Sequence, residues 1–393
     1  MSDRHRLSEE HDDFRAVVAE FAAERFAPHV AGWNATGGLP LEAVRQMGEL
    51  GLFALGGPEA YGGVGDFTSL CIAIEEIGRV DQSLGITLEA GLGLGANPIA
   101  RFGTPEQKER WLPDLLAGRA LAAFGLTEAE AGSDASATRT RADLVDGSWV
   151  INGSKQFITN SGTAITSVIT VTAVTGRRDD GRPELSTIMV PAGTPGLTIG
   201  PAYEKLGWHA SDTHPVILED VRVPEDHLLG LRGRGYAQFL STLDDGRIAI
   251  AALALGSIRA CRDLARDYAL ERHSFGGPIG RKQAVAFMVA DLDVMAHTSG
   301  LLVYAAAQLK DDHVGTDVDP AELKRAAAIA KLYTSESAVT AARLATQVFG
   351  GYGFMEEYPV ARFYRDAKVL EIGEGTSEIQ RLLIARGMGL PVE

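Results

Sequence analysis

The chain has 393 residues, 45% of them hydrophobic, and a formal net charge of −15 at pH 7. This length exceeds what one hydrophobic core usually holds, so two or three domains are expected. The acidic balance disfavours binding to nucleic acids or anionic membranes, because both are bound through basic patches.

The first third of the sequence predicts helices. Ser8 is a good N-cap for a helix with hydrophobic residues at helical spacing, and further helices are predicted over 41–50 and 70–78. Thr104, with Gln107 three residues later, has the pattern of a capping box.

Glycines alternate with larger residues between positions 85 and 95, in a stretch that otherwise predicts helix. Each glycine there costs about 1 kcal/mol relative to alanine. Close packing, or a ligand lying against the helix, would offset that cost, and we expect close packing.

The middle of the chain predicts strands over 165–174, 186–191 and 216–223, with hairpin turns at Asp146-Gly147 and Asn152-Gly153. The pattern indicates a small antiparallel sheet or barrel that ends near residue 230.

Helices return in the last third, with a long hydrophobic stripe over 248–268 and further helices over 283–310, 321–348 and 377–386. Ser377 with Gln380 fits a capping box. The fold class predicted is α+β, mostly α. Its three domains are a helical domain over 1–121, a central antiparallel β domain over 122–231 and a C-terminal four-helix bundle over 232–393.

Motifs for dinucleotide, phosphate, zinc and serine chemistry are absent from the sequence, and its nine histidines are scattered. Cys71 and Cys261 are too few for a disulfide framework and are expected in the core, so no metal site is predicted. The N-terminus lacks an apolar signal region, and no uninterrupted apolar run is long enough to cross a bilayer. We therefore expect a cytoplasmic enzyme without a membrane anchor.

Glu374 lies between Gly373 and Gly375, just before the last predicted helix. Helix capping rules explain its neighbours but do not require a carboxylate there. Taken alone, a solvated acidic loop accounts for it, because carboxylates are mostly surface residues.

Four stretches together resemble the acyl-CoA dehydrogenase family over nearly the whole chain. They read L-T-E-A-E-A-G-S-D at 126–134, I-N-G-S-K-Q-F-I-T-N at 151–160, E-R-H-S-F-G at 271–276, and Q-V-F-G-G-Y-G-F at 347–354 leading to the Glu374 loop. The resemblance implies bound FAD and oxidation of the Cα–Cβ bond of an acyl-CoA thioester to a trans-2-enoyl-CoA, as in fatty acid β-oxidation. It also implies that the electrons pass to an electron-transfer flavoprotein.

In this family Glu374 matches the catalytic base, which takes the weakly acidic α-proton while a hydride leaves Cβ for the flavin. Its backbone N–H and a ribityl hydroxyl of FAD would stabilise the thioester oxygen. The resemblance also implies a set of FAD contacts in the same subunit: Phe124, Leu126, Thr127, Gly132, Ser133, Phe157, Thr159, Thr376 and Glu378. A turn in a loop explains Gly132 equally well.

A second set matches positions that reach the FAD of a neighbouring subunit, which implies at least a dimer and usually a dimer of dimers. These residues are Arg272, Ser274, Phe275, Gln283, Gln347 and Gly351. Substrate contacts are implied for Ser133, Asp244, Arg247 and Gly375. From the sequence alone, Arg272 could be a solvated charge at a helix end, and Asp244 an N-cap followed by an exposed Arg247.

Four positions depart from the family pattern: Phe157 replaces a common Trp, and Ser274 a common Thr. Gly246 occupies the site where one branch of the family keeps its base, so Glu374 has no rival. Gly373 replaces a Tyr found in relatives that act on straight chains, and we expect it to admit α-branched acyl groups.

Two alternatives to a dehydrogenase stay open. One is a flavin oxidase that passes electrons to oxygen, which peroxide release would reveal. The other is a non-catalytic binding protein of the same fold, which would purify colourless.

Overall fold

A computed structural model of the protein describes residues 7–313 and 319–392. The first part is helical, as predicted, and both predicted caps are present: Ser8 accepts from the His11 backbone N–H, and Thr104 and Gln107 form a capping box. The helices are α1 (Glu9–Arg25), α2 (Val30–Thr36), α3 (Leu41–Glu49), α4 (Phe67–Val80), α5 (Gln82–Glu89), α6 (Asn97–Phe102) and α7 (Pro105–Leu116).

The glycine-rich stretch continues α5 as a π-helical segment, Ala90–Ala96. A Cβ at Gly91 would lie 2.9 Å from the Phe53 ring, and one at Gly95 would lie 2.8 Å from the Ala122 carbonyl oxygen. The expectation of close packing is confirmed at these positions. Single π-helical turns within helices are frequent at functional sites.

The central strands form one twisted sheet with its own apolar core around Trp149, Ile169 and Val171. The strands are β1 (Leu121–Gly125), β2 (Arg141–Val145), β3 (Ser148–Thr159), β4 (Thr166–Arg177), β5 (Pro183–Pro191), β6 (Leu197–Ile199), β7 (Thr213–Pro224) and β8 (Leu228–Leu229). Their order is β6-β7-β3-β2-β4-β5-β8, with β1 pairing β4. Because β1 runs parallel to β4, the sheet is mixed, whereas the sequence predicted an antiparallel one.

The two predicted hairpin turns have different outcomes. Asp146 and Gly147 have φ values of 50° and 75° and join β2 to β3, which confirms that turn. The turn predicted at Asn152-Gly153 is wrong, because both residues lie inside β3. Gly153 sits at a register shift against β7, so the dipeptide marks an irregularity of a continuing strand.

The last part is a bundle of long helices in which α8 packs on α4, α9 and α10, so that the first and last parts share one hydrophobic core. Its elements are α8 (Gly235–Glu271), β9 (His273–Ser274), β10 (Gly277–Pro278), α9 (Gln283–His313), α10 (Pro320–Phe349), α11 (Pro359–Ala367) and α12 (Ser377–Gly387). Buried alanines line much of α8 and α10, which permits close helix approach.

The predicted cap of α12 is off by one residue. Thr376 is extended and accepts the Ile379 N–H, so it is the N-cap, while Ser377 is already helical. Gln380 donates to the Gly375 carbonyl oxygen at 2.8 Å instead of completing a capping box with Ser377.

Within the described residues, α9 is long and apolar enough over 283–312 to cross a membrane by length and composition alone. Asp291, Asp293 and His297 interrupt its sequence. One face packs on α8 and α10, whereas Phe287 and Val294 are exposed. Exposed apolar residues on one helix face are common in interaction surfaces.

Candidate active site

The loop between α11 and α12 holds Glu374 in a left-handed conformation with φ 53°, followed by Gly375 at φ 95°. Left-handed backbone costs a non-glycine residue roughly 1 kcal/mol or more and is concentrated at functional sites. Lys331 on α10 donates to the Gly375 carbonyl oxygen at 2.8 Å, the same acceptor that Gln380 uses. Two buried donors therefore fix the loop at the residue after Glu374.

The Glu374 side chain points at α8, where Gly246 leaves room for it. A Cβ built at Gly246 would overlap the Glu374 Oε2 atom. The space at position 246, where one branch of the family keeps its base, is therefore filled by the carboxylate of Glu374. Any larger residue at 246 would move that carboxylate.

Both carboxyl oxygens of Glu374 are buried and receive no donated hydrogen bond from an N–H or hydroxyl among the residues described. Burial raises the pKa of this carboxyl to about 7, and hydrogen bonding to Glu89 and the charges of Arg247 and Lys331 act in the opposite direction. A carboxylate that titrates near neutrality suits a general base.

Glu89 is a second carboxyl at this site, and sequence reasoning missed it. It is the last residue of α5, is fully buried, and lies within hydrogen-bonding reach of Glu374. Burial, and then the charge of Glu374, raises the pKa of Glu89 well above its usual range. A single acidic residue in an otherwise apolar and glycine-rich helix was the available sequence signal.

Asp244 and Arg247 form an ion pair one turn apart on α8, in which Arg247 is buried and Asp244 is partly buried. The alternative of an N-cap Asp and an exposed Arg is wrong, because α8 runs uninterrupted through both residues and Arg247 is buried. Burial raises the pKa of Asp244 and lowers that of Arg247. Arg247 is close enough to Glu374 for its charge to lower the pKa of that carboxyl, and the substrate contacts of Asp244 and Arg247 stay predictions.

The predicted flavin contacts lie along the ends of β1 and β3 and in the loop after β1. Phe124 packs on Phe239 of α8 with ring centroids 4.0 Å apart. Phe157 is 64% exposed at φ 61°, and its ring centroid lies 5.2 Å from that of Tyr203. The remaining members of this set on the sheet side are Leu126, Thr127, Gly132, Ser133 and Thr159. Their contacts with FAD stay predictions.

A buried ion pair holds this part of the sheet together. Lys155 on β3 bonds Glu128 at 2.7 Å and the Leu126 carbonyl oxygen at 3.1 Å. Glu128 also accepts from the Arg139 and Thr140 backbone N–H groups. The loop that carries Thr127 to Ser133 is therefore anchored at its start.

The residues predicted to reach a neighbouring subunit lie where α8 and α10 end and α9 begins. Arg272 lies over the Tyr352 ring, 5.5 Å from its centroid. Tyr268 stacks on Phe349 with centroids 4.0 Å apart, which joins the end of α8 to the end of α10. Phe275, in the β9–β10 hairpin, is 91% exposed. The structure thus groups Arg272, Ser274, Phe275, Gln283, Gln347 and Gly351 at one end of the bundle.

Two further predicted residues lie at the start of α12. Thr376 is the N-cap, and Glu378 is exposed in the first turn, where hydrogen bonding to its own backbone N–H and to Thr376 lowers its pKa. Both cysteines are free and buried, which confirms that they are core residues.

Three family models match the chain: the acyl-CoA dehydrogenase N-terminal domain at residues 8–119, the middle domain at 123–221 and the C-terminal domain at 233–389. The chain is therefore a member of the acyl-CoA dehydrogenase family. This confirms the resemblance, the fold class and the enzyme class predicted from the sequence.

Relatives with high similarity include the probable acyl-CoA dehydrogenase YngJ of Bacillus subtilis, 47% identical over 97% of this chain and 98% of that protein. The short-chain specific acyl-CoA dehydrogenase, mitochondrial, of Rattus norvegicus is 40% identical over 96% of this chain and 90% of that protein.

Among solved structures, butyryl-CoA dehydrogenase from Megasphaera elsdenii matches with a TM-score of 0.92 and 38% identity, covering 98% of this chain and 99% of that chain. A chain of a structure described as the electron transferring flavoprotein of Acidaminococcus fermentans matches with a TM-score of 0.92 and 38% identity, covering 99% of both chains. A glutaryl-CoA dehydrogenase from Mycobacterium smegmatis in complex with FADH2 matches with a TM-score of 0.90 and 31% identity, covering 98% of this chain and 96% of that chain.

Proposed function

We propose that this enzyme is an FAD-dependent dehydrogenase of short acyl-CoA thioesters that forms a trans-2-enoyl-CoA, with Glu374 as the base. The observation that carries this proposal is the Glu374 carboxylate, whose oxygens are buried, lie over Gly246 and receive no hydrogen bond from a described N–H group or Ser, Thr or Tyr hydroxyl. A buried acceptor left without a donor is costly in a purely structural role. A substrate C–H beside it gives the carboxylate a function.

The residues present fit FAD. Phe157 offers an exposed aromatic face on a left-handed residue, a strained arrangement that suits a flat ring lying against it. Thr127, Ser133 and Thr159 add hydroxyls along the adjoining strand ends and loop. When bound, FAD supplies the acceptor for the hydride that leaves Cβ.

The chain's own contribution is proton removal. The Glu374 carboxylate accepts the α-proton of the acyl group and becomes the neutral acid, while the C–H electron pair enters the new Cα–Cβ double bond. The anchored Gly375 carbonyl holds the carboxylate in one position before substrate arrives. Arg247, whose charge acts on Glu374, and its partly exposed partner Asp244 suit a polar part of the CoA chain.

Gly373 bears on which acyl groups are accepted. A Cβ there would meet only the Val369 carbonyl oxygen, at 3.5 Å, so packing does not require a glycine. Its small size leaves space before the base, and we expect isobutyryl-CoA to be oxidised with a kcat/KM comparable to that of butyryl-CoA. A strong preference for butyryl-CoA in parallel assays would remove this role for Gly373.

The length of α8 supports a homo-oligomer, with a tetramer built as a dimer of dimers. Arg272 lies roughly 40 Å along this continuous helix from Gly246, at a rise of 1.5 Å per residue. That separation exceeds the length of an extended FAD molecule with its ring at Glu374. The group around Arg272 therefore suits the FAD of a second copy, and the exposed apolar face of α9 offers a surface for assembly.

We assign an electron-transfer flavoprotein as the acceptor and the cytoplasm as the compartment. The first assignment follows the likeness to a chain from an electron transferring flavoprotein structure. The second follows the two free cysteines, which suit a reducing environment.

An anaerobic titration of the purified holoenzyme tests the proposal. Acyl-CoAs of graded length and branching are added while the flavin absorbance is followed. We expect a yellow protein that butyryl-CoA bleaches, with crotonyl-CoA as the product. A colourless protein, or a flavin that no acyl-CoA bleaches, would contradict the proposal, and stoichiometric peroxide on admitting air would favour the oxidase instead.

A further inference from the structure

Glu89 is a buried carboxyl to which the mechanism proposed above assigns no role. Its side chain is fully buried, and none of the described N–H or hydroxyl groups donates to either of its oxygens. Gly93, one turn on, leaves space for it, since a Cβ there would lie 3.1 Å from Glu89 Oε1. The Asn160 side-chain amide donates to the Thr87 carbonyl oxygen at 3.3 Å and so ties this helix to the end of β3.

The group facing Glu89 is the Glu374 carboxyl, so two acidic side chains meet with their oxygens buried. The other charged groups around the pair are Arg247 on α8 and Lys331 on α10. Arg247 bonds Asp244, and Lys331 bonds the Gly375 carbonyl oxygen. Two buried carboxylates in contact cannot both stay ionised, so the pair holds one proton near neutral pH.

We propose that Glu89 is a positioning residue for the candidate base: it keeps this proton and donates it in a hydrogen bond to the Glu374 carboxylate. The proton belongs on Glu89 because Arg247 and Lys331 act on Glu374, where they favour the ionised form. The hydrogen bond holds the base over Gly246 in its ionised form before substrate binds. This inference rests on the proposed function, because it takes Glu374 as the base.

The kinetic test compares the pH dependence of kcat/KM for the wild-type holoenzyme, Glu89→Gln and Glu89→Leu with butyryl-CoA. This parameter reports the free enzyme, which is the state in which the pair exists. Loss of the donated hydrogen bond in Glu89→Leu should raise the pKa of Glu374. The ascending limb of the pH profile of kcat/KM should then move to higher pH by about one unit. Glu89→Gln keeps an N–H donor, so its limb should stay near that of the wild type. An unchanged limb in Glu89→Leu overturns the proposal.

An infrared test does not depend on turnover. The infrared spectrum of the resting Glu89→Gln holoenzyme is subtracted from that of the wild type at pH 8. The difference spectrum should show the C=O stretch of one protonated carboxyl, and this band should shift in D2O. The same band should persist when Glu374→Gln is compared with the Glu89→Gln, Glu374→Gln double variant. Absence of the band from the first difference spectrum overturns the proposal, and it does so even if the enzyme oxidises no acyl-CoA.

Discussion

Two pairs of buried glutamates lie in this molecule, and they are built in opposite ways. Glu75 and Glu76 on α4 are buried among arginines: Arg15 reaches Glu75 at 3.0 Å and Glu76 at 2.6 Å. Arg259 and the Tyr304 hydroxyl also bond Glu75, and Arg79 reaches Glu76 at 3.0 Å.

The carboxyl oxygens of Glu89 and Glu374 are also buried, but they have only each other as direct hydrogen-bonding partners within the described part of the chain. The first pair joins α1, α4, α8 and α9 in the core. The oxygens of the second pair receive no hydrogen bond from an arginine or a tyrosine among the described residues. Burial alone therefore does not distinguish a structural carboxylate from a reactive one, whereas the supply of donors does.

The largest loss of stability should come from removing a charge in the structural pair. Glu75→Gln removes the buried charge that Arg15 and Arg259 share, leaves only Glu76 to balance them, and should lower the free energy of unfolding by roughly 3 kcal/mol. Urea unfolding measures this, with Glu49→Gln in an exposed ion pair as the control, expected within about 0.5 kcal/mol of the wild type. A Glu75→Gln protein as stable as the control would show that the first pair is not structural.

Gly246→Ala should disturb the position of Glu374 without altering the charges of the Glu89–Glu374 pair. The added methyl group takes the place of the Glu374 carboxylate, and displacement of a catalytic group by about 1 Å can cost on the order of 100-fold in rate. Steady-state kcat/KM with butyryl-CoA is the measurement. Gly32→Ala is the matched control, since a Cβ there meets nothing within 4 Å. Equal rates for the two variants would mean that the base does not depend on the space at Gly246.

Glu374→Gln should change stability in the opposite direction from Glu75→Gln. Because burial raises the pKa of Glu374 to about 7, the folded state of the wild type binds the proton more tightly than the unfolded state. The stability gained from that proton is complete below the unfolded pKa, near 4.5, and is lost as the pH rises through about 7.

The glutamine side chain of this variant does not titrate, so Glu374→Gln should gain stability over the wild type between pH 5 and pH 8, by roughly 2 to 3 kcal/mol at the upper end. Urea unfolding of both proteins across this range measures the difference. A difference that shrinks with rising pH would contradict the raised pKa.

Lys331→Met should produce the smallest effect. It removes one of two donors to the Gly375 carbonyl oxygen and a positive charge that lowers the pKa of Glu374. We expect kcat/KM at pH 7 to fall about tenfold and to recover in part at higher pH, because the ascending limb moves upward. Lys108→Met on α7 provides the control. An equal loss of kcat/KM at every pH would mean that Lys331 acts only through its hydrogen bond to the Gly375 carbonyl oxygen and does not affect the pKa of Glu374.

The sequence predicted most of the helices and strands, because caps and periodic hydrophobic residues act locally. It failed where partners distant in the sequence decide the outcome. Because β3 pairs with β7, it continues as a strand through Asn152-Gly153 instead of turning there. The pairing of β1 with β4 is parallel, and no local pattern in the sequence indicated this direction. Glu374 was found through the family resemblance, since its loop alone suggested a surface. Glu89 lies 285 positions away and meets it only in the fold, which is why no local pattern indicated the pair.

The identity of the base is the central claim, and single-turnover reduction of Glu374→Gln tests it most directly. The variant holoenzyme should keep the yellow flavin spectrum, yet anaerobic butyryl-CoA should bleach it at least about 1,000-fold more slowly than the wild type, because no carboxylate removes the α-proton. Glu371→Gln, a carboxylate on the same loop that pairs with Lys368, should bleach at the wild-type rate. Bleaching of Glu374→Gln at the wild-type rate would contradict the account.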